Sequence, residues 1–176
     1  MPRFSLRAVF LAACLINPPV LESFQQILLD VPFVRQVKNG CGTACIAMVL
    51  KYWNHERSPL AEGHSTEVLD PNPWPGGAEV LSGEMESYFR RRGFRTFAFQ
   101  GEWADLKHHI SKGRPLIACL RTGRSTFHYV VVAGIDPDEG IVLVNDPAQR
   151  KLLQWRRADF EKGWKGSGNW TLLALP

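Results

Sequence analysis

Gln36-Val37-Lys38-Asn39-Gly40-Cys41-Gly42-Thr43-Ala44-Cys45-Ile46-Ala47-Met48-Val49-Leu50 is the stretch on which the reading of this chain turns. From Gly42 to about Trp53 the residues are apolar nearly all round, which predicts a helix buried at the centre of the fold. Cys41 stands at the head of that helix, where the partial positive charge of the N-terminus favours thiolate over thiol. Gln36 lies five positions upstream, in the loop that delivers the cysteine. Its amide can donate a hydrogen bond to an oxyanion. A thiol set on a helix terminus beside an amide donor is the arrangement of a cysteine nucleophile. Such a nucleophile requires a base and a group to orient that base further along the chain.

The second half supplies candidates for both. His128 opens a β-branched run, His128-Tyr129-Val130-Val131-Val132-Ala133-Gly134, after the flexible Thr122-Gly123-Arg124-Ser125-Thr126. The next apolar run, Gly140 to Val144, ends in Asn145-Asp146-Pro147. A hairpin through Asp136-Pro137-Asp138-Glu139-Gly140 brings His128 and Asp146 to matching ends of two paired strands. Asp146 can then accept the second imidazole N–H and set the tautomer. Of the other histidines, His55 and His64 fall in a long polar loop, and His108 and His109 on a short polar helix. Cys45 is the rival nucleophile. One turn inside the helix it gains less from the terminus, so Cys41 is favoured.

Around this pair the chain reads as one α+β domain from Leu28 to Pro176. Leu29 to Phe33 is a short extended segment, because the residue before Pro32 is pushed toward β. Residues 54–77 are polar and proline-rich and read as a long loop that lines the substrate groove. A helix is expected from about Glu79 to Arg91, where Arg90-Arg91-Arg92 offsets the macrodipole and Gly93 caps the end. Strands are expected at Arg95–Phe99, Pro115–Leu120, His128–Gly134, Gly140–Asp146, Lys151–Trp155 and Asn169–Leu175, with short helices at Trp103–Ser111 and Ala158–Trp164. N-terminal helices therefore pack on a C-terminal antiparallel sheet.

Composition narrows the class. The 176 residues are 45% hydrophobic, with six Trp and ten Phe, enough for a single-domain core. A net charge of +4 is scattered and accompanied by no groove-reading motif, which argues against nucleic acid as a partner. Cys14, Cys41, Cys45 and Cys119 show no metal-ligand spacing and no disulfide framework, so neither metal nor cofactor is expected. Cys119, within an apolar strand, reads as a core residue.

Residues 1–27 differ from the rest. Two arginines and no acid precede the apolar run Ala8 to Ile16, and Asn17-Pro18-Pro19 ends it. This has the shape of a secretory signal and is too short for a membrane span. Leu11-Ala12-Ala13-Cys14 is also similar to a lipobox, in which Cys14 would be lipidated. The expectation is an exported, periplasmic or membrane-anchored bacterial protein, associating with the membrane through its N-terminus if Cys14 is lipidated; the plainer alternative is an ordinary N-terminal helix packed on the domain.

Val31-Pro32-Phe33-Val34-Arg35-Gln36, Cys41-Gly42-Thr43-Ala44-Cys45, His128 to Val132 and Val144-Asn145-Asp146-Pro147 together resemble the bacteriocin-processing double-glycine peptidase family. Phe160, Trp164 and Gly168 to Pro176 resemble its stand-alone, exported branch. The resemblance implies a papain-like fold and hydrolysis of a peptide bond in a peptide or protein substrate, after a Gly-Gly leader in the family's best-known members. It implies Cys41 as nucleophile, His128 as general base and acid, Asp146 as orienter and Gln36 as oxyanion donor. Thr43 departs from the family, which often has proline there. The fused ATP-driven exporter of those members has no counterpart here, since this sequence carries no phosphate loop. Two other readings share the residues: a catalytically silent peptide-binding domain, and a thiol-dependent acyl- or peptidyltransferase.

Overall fold

A computed structural model describes residues 26–57 and 82–176. Among them are four helices and seven strands, all paired antiparallel. The helices are α1 (Cys41–Arg57), α2 (Ser82–Arg91), α3 (Trp103–Ile110) and α4 (Arg157–Lys165). The strands are β1 (Ile27–Leu28), β2 (Arg95–Gln100), β3 (Leu116–Arg121), β4 (Phe127–Asp136), β5 (Ile141–Asn145), β6 (Leu153–Arg156) and β7 (Trp170–Leu175). The sheet runs β2-β7-β3-β4-β5-β6, with β1 added to β4. The expected α+β class holds, and α4 lies between the last two strands, where a short helix at Ala158–Trp164 was expected.

The helix that anchors the site forms as its sequence requires. Every residue from Gly42 to Leu50 is buried. Tyr52 and Trp53 then tie the helix down by polar tips, donating to the carbonyls of Gly113 at 2.9 Å and Ala174 at 3.0 Å. α1 and α3 pack on β4, α2 on β2 and β7, and α4 on β3, β5 and β6. Met48, Met85, Phe89, Leu106, Ile110, Phe160 and Trp164 fill the core between helices and sheet.

One strand was not expected and one expected boundary needs correction. The first strand is Ile27–Leu28, just ahead of the segment Leu29–Phe33 that the sequence marks as extended. Ile27 and Leu28 pair with Ile135 and Gly134, and Leu29 adds one further bond, from its N–H to the Ala133 carbonyl at 2.8 Å. Gly134 permits this approach, since a Cβ there would stand 2.8 Å from the Ile27 carbonyl oxygen. Residues 54–57 belong to α1 rather than to a loop, since the helix runs on to Arg57. The remainder of that expected loop, and the start of the helix expected from Glu79, lie outside the described residues. So does the N-terminal segment, apart from its last two residues. Among the described residues no helix is long and apolar enough to cross a membrane.

The other elements fall where the sequence places them. α2 ends at Arg91, and Gly93 takes the left-handed conformation (φ 81°) expected of a cap. The β4–β5 hairpin forms with Val131 opposite Asn145 and a bulge between Val132 and Gly134. Its turn is closed by Asp136 Oδ1, which accepts the Glu139 N–H at 3.1 Å.

Candidate active site

A tight turn delivers Cys41. The Gly40 N–H donates to the Val37 carbonyl at 2.9 Å, and Asn39 between them is left-handed (φ 58°), a conformation asparagine tolerates. The Gly40 carbonyl then accepts the Ala44 N–H at 2.9 Å, the first bond of α1. Cys41 is therefore in the first turn, where N–H groups point outward unpaired. It is partly exposed, whereas Cys45 is fully buried.

His128, near the start of β4, bonds through Nε2 to Asp146 Oδ1 at 2.7 Å. Its other nitrogen, Nδ1, is not engaged by Asp146, and the His128 and Cys41 side chains are close enough to shift each other's ionisation. Asp146 is 2% exposed and sits just past the end of β5. Its carboxylate also accepts the Ala148 N–H at 2.9 Å on Oδ1 and the Gln149 amide at 2.6 Å on Oδ2. Cys41, His128 and Asp146 thus line one cleft, with His128 and Asp146 hydrogen-bonded.

The electrostatics follow from these contacts. Burial pushes the Cys41 thiol up, but His128 and the main-chain N–H groups of Tyr129 and Gly42 outweigh it, and the thiol lies below its ordinary range. Burial alone would lower His128. The bonds to Asp146 and Cys41 reverse this and raise it to about 9. Asp146 is pushed up by burial and brought below its usual range by His128, Ala148 and Gln149. Both shifts act in the direction that favours a thiolate–imidazolium pair over the neutral pair. Burial raises Cys45 well above the ordinary thiol range and Cys119 to about 11, so neither offers a thiolate.

Gln36 completes the cleft. A cavity of about 530 Å³ is lined by Gln36, Asn39, Cys41, His128, Asp146 and Gln149, with Leu120, Phe127 and Trp155 among its apolar lining. The Gln36 N–H is held by the Pro147 carbonyl at 3.0 Å, while its buried Oε1 has no hydrogen-bond partner. No bond to that oxygen fixes the amide. All four residues singled out from the sequence line this one cleft. Among the described histidines, His55 is exposed in the last turns of α1, and His108 and His109 meet edge to face in α3. His64 lies outside the described residues. So do residues 58–77, and with them most of the loop expected to line the groove.

The profile of the Peptidase_C39 like family matches residues 28–171. The chain belongs to that family. It is a cysteine peptidase by family, and its fold agrees. The C39-like chain is 29% identical over 137 residues to the lactococcin-G-processing and transport ATP-binding protein LagD of Lactococcus lactis subsp. lactis. That match takes in 75% of this chain but only 17% of the relative's length. The peptidase domain of Streptococcus ComA superposes with a TM-score of 0.60 at 20% identity, covering 83% of this chain and 98% of that domain. A double glycine motif protease from an AMS/PCAT transporter, in complex with a leader peptide, gives 0.62 at 21% identity over 85% and 94%. A C39-like peptidase from Bacillus anthracis gives 0.62 at 16% over 87% and 98%. The C39-like fold thus spans nearly the whole of these solved domains.

Sequence reading did not single out Asn145, Ala148, Gln149 or the Tyr129 N–H. Asn145 is wholly buried, donating to the Val31 carbonyl at 3.1 Å and accepting the Leu152 N–H at 2.9 Å. Its place beside Asp146 in an apolar strand was the available signal. The contribution of a main-chain N–H leaves no mark on residue identity.

Proposed function

We propose that this chain hydrolyses a peptide bond through a Cys41–His128–Asp146 triad, with Gln36 as oxyanion donor. The observation that carries it is His128 hydrogen-bonded to Asp146 and lining one cleft with Cys41, whose ionisation it shifts. The Cys41 thiolate attacks the scissile carbonyl carbon. The Cys41 N–H, unpaired in the first helical turn, and the Gln36 amide receive the developing oxyanion. His128, protonated on Nδ1, gives that proton to the leaving amine as the C–N bond breaks. The acyl-enzyme is then attacked by water, whose proton returns to His128. Asp146 keeps Nε2 protonated and the ring in plane throughout.

The substrate class is carried from the relatives. One is named for processing lactococcin G, and another is a double glycine motif protease holding a leader peptide. A peptide cut after a Gly-Gly leader is the reading taken here. The sequence further supports a targeting segment over residues 1–27, with Cys14 as its lipidation point. Membrane fractionation of the wild type and Cys14→Ser checks this: a soluble wild type would remove the anchor.

The test of the activity is incubation of the full chain with a peptide library followed by mass spectrometry. The expected result is cleavage by the wild type and none by Cys41→Ala or His128→Ala. Peptide bound and left intact would instead make this a binding domain. Products carrying a second peptide in place of water would make it a transferase.

A further inference from the structure

The Asp146 turn is bonded more densely than an orienting carboxylate requires. The Asp146 N–H donates to the Arg150 carbonyl at 3.1 Å, and the Gln149 N–H to the Asp146 carbonyl at 2.9 Å. These close the turn on itself. The Gln149 side chain folds back so that its amide reaches Asp146 Oδ2 at 2.6 Å, while Oδ1 holds His128 and the Ala148 N–H. Arg35 reaches the Gln149 carbonyl at 3.0 Å from the segment that carries Gln36.

This geometry has a mechanical consequence. A carboxylate held through Oδ1 alone can rotate about its terminal torsion, which is broad and soft. Rotation swings Oδ1 off His128 Nε2. A donor fixed on Oδ2 blocks it, since both oxygens are then pinned in one plane. Gln149 is itself pinned at its main chain by Asp146 and Arg35, so its amide is aimed rather than free.

We infer that Gln149 is a positioning residue of this site, locking the Asp146 carboxylate in the rotation that keeps Oδ1 on His128. This rests on the triad reading above. The charged or titratable groups around Asp146 are His128 of β4, Cys41 and Cys45 of α1 and Arg35 ahead of α1. Gln149 is uncharged, so its removal changes geometry without changing net charge.

The test follows the pH dependence of alkylation of the full chain by iodoacetate, read at Cys41 by mass spectrometry. This anionic reagent needs the thiolate and is helped by the imidazolium, so the rate is bell-shaped. Gln149→Met and Gln149→Ala remove the donor with different bulk, on an exposed turn. In both, the limbs are expected to close inward. The basic limb falls by about one pH unit or more, and the rate on the alkaline side drops about tenfold, with thermal stability unchanged. A basic limb that stays or moves up would overturn the inference, the second case because it would mean the donor only withdraws charge from Asp146. His128→Ala separates the two readings. If it abolishes the bell and the Gln149 variants leave it in place, positioning by Gln149 fails while the triad stands. If Cys41 of the wild type shows no bell at all, both fail.

Discussion

The main-chain N–H of Gln36 donates to the carbonyl oxygen of Pro147 at 3.0 Å, so Gln36, the proposed oxyanion donor, is tied to the residue that follows Asp146. Arg35 repeats the tie one position earlier, at the Gln149 carbonyl. Two segments more than a hundred positions apart are thereby held in register across the cleft. Asp146 and Gln36, to which we assign the orienting and oxyanion roles, share one scaffold.

Because Gln36 is anchored by its backbone, its side chain can be removed without releasing the loop. Gln36→Ala is expected to fold as the wild type and to lose on the order of 10²–10³ in turnover, with little change in KM. Steady-state kinetics on a cleaved library peptide, with circular dichroism as control, measures this. A change confined to KM would remove Gln36 from the oxyanion site.

Stability should depend on pH through His128. Its folded value of about 9 lies above the ordinary 6.5. A raised value means that the folded state binds the proton more tightly. The stabilisation is fully present below about 6.5 and is lost as pH rises through about 9. Asp146, held low, works the other way at acid pH, and its contribution is lost as pH falls below the carboxylate range. Urea unfolding of the wild type and His128→Gln between pH 6 and 10 should show the wild-type advantage shrinking across that window. A constant difference would show that the pair is not charged in the folded state.

Asn145 bridges the strand end to two other segments. Asn145→Leu fills the same volume but leaves the Val31 carbonyl and the Leu152 N–H unpaired. Leu152 is also left-handed (φ 53°), a strained conformation that this bond helps to hold. The expected loss is about 2–4 kcal/mol, read from the denaturation midpoint. A variant within 0.5 kcal/mol, roughly the size of an ordinary surface change, would show that the bridge is dispensable.

Thr43 offers the opposite case. It is 1% exposed and its hydroxyl has no partner. Thr43→Val keeps the shape and removes the unpaired polar group, so it should raise stability by about 1 kcal/mol. Differential scanning calorimetry would detect the higher Tm, and a lower one would mean that the hydroxyl is bonded in solution.

Much of the fold was legible because its signals are local. α1, β3, β4 and β5 each carry an apolar pattern that needs no partner to be recognised, and Gly93 marks a helix end by its own backbone freedom. The candidate cysteine and histidine were legible for the same reason: each sits at the terminus of an unmistakable element. The early strand was not legible, because the Pro32 signal marks extended backbone only, whereas strand pairing depends on what lies alongside. Only Gly134 of β4, far along the chain, lets Ile27 and Leu28 come close.

The sequence by itself determined the elements, their order, and that a thiol would stand at the head of a buried helix. Only the tertiary structure decided that β7 enters between β2 and β3, and that Ala148, Gln149 and Pro147 clamp the carboxylate and the amide donor. The physical reason is the range of the interactions. Helix propensity and strand alternation act between near neighbours in the chain. Strand order and the aim of a carboxylate are set by hydrogen bonds whose partners become neighbours only after the chain has folded.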